Sequence, residues 1–161
     1  MRTFNSGEYE LPDFTSIDWQ KTKYNVGIFL SAYKTARERM GFQSYPRRAM
    51  DYSFLTKEST LVARNQDLNE YEDYRDEFSQ LNKLFSVGYT AIMHPYNPEM
   101  TERRRTIFML KYLQGLSVVV IGERINYQKN IITDESKLAI SQFAHPLSLI
   151  ELKKPTLTQL V

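Results

Sequence analysis

From residue 19 onward the apolar positions follow a helical rhythm. Trp19, Thr22, Val26, Phe29, Tyr33, Ala36 and Met40 recur at alternating spacings of three and four, and Leu30 widens the stripe. That spacing is a heptad seam, which predicts one long amphipathic helix whose stripe faces a core or an oligomer partner. Ser16 is placed to cap its start, with Asp18 in the first turn. Lys34, Arg37 and Arg39 suit the negative end of the helix dipole, and Gly41 ends it.

The rhythm breaks over 42–60 (FQSYPRRAMDYSFLTKEST), read as a connector. It resumes in a second helix over about 60–86, where Leu68, Tyr71, Tyr74, Phe78, Leu81 and Phe85 keep the three–four spacing. The other faces carry Glu70, Glu72, Asp73, Asp76 and Glu77. Metal-dependent phosphodiester cleavage needs carboxylates converging from several elements, usually with a lysine or histidine, so a solvated acidic face is the better reading. Gly88 and Pro95 mark 87–97 (VGYTAIMHPYN) as a second connector. The tail, KKPTLTQLV, reads as frayed.

Residues 97–150 hold the most informative pattern. Asn97 followed by Pro98 is a helix start, and Glu99 and Glu102 favour its dipole. This helix runs to Gly115, with Ile107, Phe108, Leu110 and Leu113 as its apolar face and Arg103, Arg104, Arg105 and Lys111 as a cationic one. After the break GLS, Ser117 caps a short helix, VVVIGERI. Gly122 in its middle suits the close approach of another helix, and Asn126 accepts the left-handed conformation of a tight turn. A longer helix over about 129–144 carries Ile131, Glu135, Leu138, Ala139, Gln142 and Phe143 along or beside its inner face. Short helix, tight turn, longer helix is the helix-turn-helix layout. The expected fold is therefore all-α: two long N-terminal helices followed by a C-terminal helix-turn-helix unit. The units are 1–96 (oligomerisation or partner binding), 97–150 (DNA binding) and a tail, 151–161.

Composition narrows the chemistry. The 161 residues contain no cysteine, so disulfides, zinc–thiolate sites and cysteine nucleophiles are excluded. The two histidines, His94 and His145, are far apart and lack acidic neighbours at metal-ligand spacing, so neither a metal nor a cofactor is expected. No apolar run nears the roughly 18 residues of a membrane span, and the opening residues do not resemble a secretory signal. A cytoplasmic location and no membrane association are expected. The net charge of +2 hides a division along the chain: 17–50 carry +5 and 97–154 carry +3, around an acidic −4 over 51–96. Local cationic density is what phosphate binding uses.

The string RRRTIFMLKYLQGLSVVVIGERINYQ, followed by a helix ending AISQFAHPL, resembles the ArpU family of phage late-transcription regulators. The likeness rests on the arginine-rich start with Ile107 and Phe108, then Tyr112, Gly115, Ser117, Ile121, Arg124 and Tyr127. It continues through Ala139, Phe143, Ala144 and Leu147, and IDWQKTKYNVGIFLSAYKTARERMG is similar to that family's opening helix. The resemblance implies a helix-turn-helix like that of the sigma-factor C-terminal region and a role at a phage late operon. Gln128 departs from the usual serine cap, Asp134 and Glu135 fall in a stretch commonly more basic or apolar, and Pro146 cuts the last helix early.

A recognition helix reads bases with its first turns. Here those residues are Lys129, Asn130, Ile132, Thr133, Ser136 and Lys137, with asparagine suited to adenine and lysine to guanine or phosphate. Arg103, Arg104, Arg105, Lys111 and Arg124 are the candidates for backbone contacts. Double-stranded DNA is the expected partner, with RNA polymerase and a second copy of the chain as further candidates. The alternatives are a small terminase-like packaging subunit and a protein-only helical adaptor. No nucleophile, metal cluster or phosphate loop points to an enzyme.

Overall fold

The computed structural model describes residues 3–45 and 72–155. Among them are five α-helices: α1 (Trp19–Arg39), α2 (Glu72–Thr90), α3 (Pro98–Phe108), α4 (Val118–Ile125) and α5 (Lys129–Ala144). No strand occurs among the described residues, where one isolated antiparallel bridge joins Ile17 and Leu152. The fold is all-α, as the apolar spacing predicts.

The start of α1 is set by Asp18 rather than Ser16. The Asp18 carboxylate accepts the Lys21 amide at 3.1 Å, while the Ser16 hydroxyl donates to the Asp13 carbonyl at 2.6 Å in a preceding 3-10 turn. Gly41, at φ +80°, closes the helix in the left-handed region where glycine has no Cβ penalty. The buried residues of α1 include Thr22, Val26, Leu30, Tyr33 and Ala36, the predicted stripe, so the seam is a core face.

The second helix departs from expectation at its end. It continues through Gly88 to Thr90 because Gly88 is a packing position rather than a breaker. A Cβ built there would lie 2.7 Å from the Phe143 ring, so only glycine lets α2 and α5 approach this closely. The expected opening of this helix at Leu68 and Tyr71, and Glu70 beside it, lie outside the described residues.

One core joins the elements. Tyr33 stacks on Phe85 at 4.4 Å, and Phe143 of α5 meets Phe85 at 5.8 Å, Phe108 at 4.7 Å and Phe29 at 5.9 Å. Such aromatic pairs contribute about 0.5–1.5 kcal/mol each beyond their area burial. The Tyr33 hydroxyl stays satisfied inside, donating to buried Asn82 at 2.9 Å. The two expected units, 1–96 and 97–150, thus share a hydrophobic core. The expected tail is also tied down at its start. The Asp18 amide donates to the Glu151 carbonyl and the Lys153 amide to the Ser16 carbonyl, both at 2.8 Å.

Candidate nucleic-acid interface

The last helices are built around three isoleucines. Ile107 of α3, Ile121 of α4 and Ile132 of α5 are fully buried and pack together, flanked by Leu110, Leu116, Val118 and Ile125. After Phe108 the backbone widens into a π-helical turn, Met109–Leu113, before Gly115 reverses it at φ +73°. Within this turn Lys111 and Tyr112 reach α5, where both bond Ser136.

Helix α4 has its expected cap: the Ser117 hydroxyl accepts the Val120 amide at 3.3 Å. Asn126 takes the left-handed conformation (φ 59°, ψ 47°), and the Tyr127 amide donates back to the Gly122 carbonyl at 3.2 Å. A Cβ on Gly122 would lie 2.8 Å from the Tyr127 carbonyl oxygen. Gly122 is therefore required where the turn folds over α4. Gln128 begins α5 without a side-chain cap.

The candidate base-reading residues divide into two sets. Lys129, Asn130 and Lys137 are exposed, Thr133 is half-buried, and Asp134 is exposed beside them. At 100° per residue, Asn130, Asp134 and Lys137 lie within about 60° of one another and form a single polar ridge. Ile132 and Ser136 do not belong to it. Ile132 is 0% exposed in the isoleucine cluster. Ser136 is buried, its hydroxyl donating to the Thr133 carbonyl at 2.8 Å and accepting from the Lys111 ammonium at 3.2 Å. Both hold α5 in place and cannot reach a base.

The arginine run overturns the expected cationic face. Arg104 and Arg105 are 4% and 8% exposed. Arg104 Nε donates to Glu135 Oε2 at 2.7 Å, and its Nη1 donates to the Met93 carbonyl at 2.7 Å and to Gln142 at 3.1 Å. Arg105 turns to the end of α2, donating to the carbonyls of Ile92 at 2.7 Å and Thr90 at 3.3 Å. There it satisfies acceptors that the helix leaves open and favours its dipole. Burial lowers the Arg105 pKa from its ordinary value. Arg103 bonds Glu135 at 3.2 Å and lies over the Tyr127 ring at 4.8 Å. Burial disfavours its charge, but hydrogen bonds to Tyr127 and Glu135 and the Glu135 charge outweigh that, and its pKa rises. Three successive arginines point in different directions because each residue turns by 100°. Each direction meets protein. Arg104 and Arg105 act as internal clamps, and Arg103 pairs with Glu135 while keeping 19% of its side chain exposed.

Lys111 is half-withdrawn too. Burial first, and the Lys23 charge second, lower its pKa from the ordinary lysine value. Tyr112 beside it donates to the Ser136 carbonyl at 3.4 Å. Burial pushes the Tyr112 hydroxyl up to about 12, opposed by the Ser136 bond. Lys137 Nζ lies 5.7 Å from the Trp19 ring centroid, so α1 borders the ridge. Arg124 is exposed at the end of α4.

Glu135 is the residue whose role sequence spacing missed. Its signal was an acid and an amide, Glu135 and Gln142, on the inner face of a predicted helix, which demands buried partners. Among the described residues no helix is long and apolar enough to cross a membrane. No family model, curated protein or solved structure matches the chain.

Proposed function

We propose that this chain binds double-stranded DNA through α4, its turn and α5, and that it regulates transcription. One observation carries the reading: a short capped helix, a turn with a left-handed asparagine and a longer helix are held on a common isoleucine cluster, leaving Lys129, Asn130 and Lys137 exposed and Thr133 half-buried on the first turns of α5. That arrangement matches what a recognition helix needs, polar side chains free at its start and apolar ones locked behind. The resemblance to the ArpU family supports a phage late operon as the target. A cytoplasmic protein with RNA polymerase or a second copy as partner fits the same reading. A small terminase-like subunit would bind a packaging site with the same unit.

A protein-only adaptor is the second reading, and specific observations favour it. The three arginines are consumed internally, and Asp134 stands in the middle of the ridge. Its carboxylate accepts from a cytosine amino group or repels phosphate. Fluorescence anisotropy of a labelled duplex separates the two. A DNA-binding chain gives saturable binding that weakens linearly in log–log form with added salt. An adaptor gives no binding at low salt.

A further inference from the structure

We propose that the seam between α1 and α5 is a seat for one phosphodiester group of the DNA backbone, formed by Lys23, Lys111 and Lys137. The proposal deepens the DNA-binding reading and rests on it. The three lysines come from α1, the π-helical turn and α5, elements far apart in sequence. Lys111 is anchored by its bond to Ser136, the residue before Lys137. Lys137 lies over Trp19, which is one helical turn before Lys23 on α1. Burial chiefly, and the Lys23 charge after it, disfavour the Lys111 ammonium.

Among the described residues none of the three forms an ion pair. Of the neighbouring acids, Asp18 caps α1 and Glu135 holds Arg103 and Arg104. Asp134, one turn before Lys137 on the exposed ridge, forms no ion pair among the described residues and lies on the side of the ridge away from α1. An ammonium has three donors, and the one bond of Lys111 is to a hydroxyl. Three cations with no ion-pair partner among the described residues are what an anion resolves, and lysine meets phosphate as a point charge. Lys137 also stands on the ridge with Asn130, so a phosphate here would flank the bases that α5 reads. Phosphate contacts of this kind set register and orientation. The seat gives α1 a direct part in DNA binding, beyond its expected part in assembly.

The test is a salt titration of full-length protein on a labelled duplex of scrambled sequence, with Lys23→Gln as the main variant. Each lost phosphate contact lowers the slope of log affinity against log salt by about 0.9, which is about an eight-fold loss of affinity at 0.1 M salt. Lys23→Gln and Lys137→Gln are expected to show that loss with unchanged thermal melting, because both side chains are exposed. Lys111→Met keeps an apolar stem in the half-buried position and is expected to lose the same slope; the two glutamine variants decide the matter if it does not fold. Lys83→Gln on the exposed side of α2 is expected to leave the slope unchanged. A wild-type slope in Lys23→Gln overturns the seat while leaving DNA binding by α5 standing. Equal losses from Lys83→Gln overturn it as well, since net charge alone would then explain them. A wild-type chain that binds no duplex overturns both proposals.

Discussion

Replacing Glu135 by alanine removes the carboxylate that, among the described residues, holds Arg103 and Arg104 against α5. Arg104 is 5% exposed at its side chain and Glu135 8%, so the bond at 2.7 Å is out of water. Breaking a buried ion pair by deleting one partner typically costs about 3–5 kcal/mol, because the other charge is stranded. Arg104 keeps the Met93 carbonyl and Gln142 as acceptors, and Arg103 is 19% exposed. Both facts place Glu135→Ala near the lower end, at about 3 kcal/mol. For a chain of this size that is a fall of about 6–12 °C in Tm. Glu135→Gln keeps the shape and one acceptor oxygen, so about 1–2 kcal/mol is expected. Circular dichroism melting and urea denaturation read both variants, with Arg124→Ala as a surface control. A double-mutant cycle with Arg104→Ala is expected to give a coupling above about 1 kcal/mol. A loss under about 0.5 kcal/mol for Glu135→Ala, the range of a surface substitution, would refute the clamp and return the arginines to solvent.

Other outcomes follow from the same geometry. Gly122→Ala and Gly88→Ala each gain about 1 kcal/mol of helix propensity, yet both are expected to destabilise. The added carbon meets the Tyr127 carbonyl at 2.8 Å in the first and the Phe143 ring at 2.7 Å in the second, and a raised Tm in either would contradict the close approach. Alkaline pH is expected to destabilise the chain in part through Tyr112, together with Tyr89, whose hydroxyl burial also pushes up. The unfolded tyrosine ionises near pH 10 and the folded one at about 12, so its contribution is intact below about pH 10 and drains away between 10 and 12. Tyr112→Phe should flatten that part of a stability–pH curve, and an unchanged curve would sink the assignment. Lys129→Ala and Asn130→Ala are expected to weaken specific binding by about 1–3 kcal/mol each without moving Tm.

Elements whose signals are local were legible in the sequence. The stripe of α1, the Ser117 cap and the left-handed Asn126 each depend on residues within a few positions, and each lies where spacing placed it. Gly88 was misleading because a glycine that breaks a helix and one that admits a neighbouring ring look alike in one chain. The arginine run was misleading for a related reason. Cationic side chains on a helix imply solvent unless their partners are known, and Glu135 is 31 residues from Arg104. Position within α5 alone points Ile132 and Ser136 to base reading, but the helix turns them toward Ile107 and Lys111. Asn130 and Lys137 are exposed because they face away from Ile132, Lys129 because it opens the helix, and Thr133 is half-buried between the two sides.

Selection from a randomised duplex pool, with the wild-type chain and Asn130→Ala run side by side, tests whether α5 reads bases. Wild type is expected to enrich one motif, and Asn130→Ala still to bind but to lose preference at one base position while retaining the rest. Enrichment of the same motif by both proteins would remove α5 from the reading of bases. Retention of no duplex by the wild type would leave α4 and α5 as a protein-binding pair.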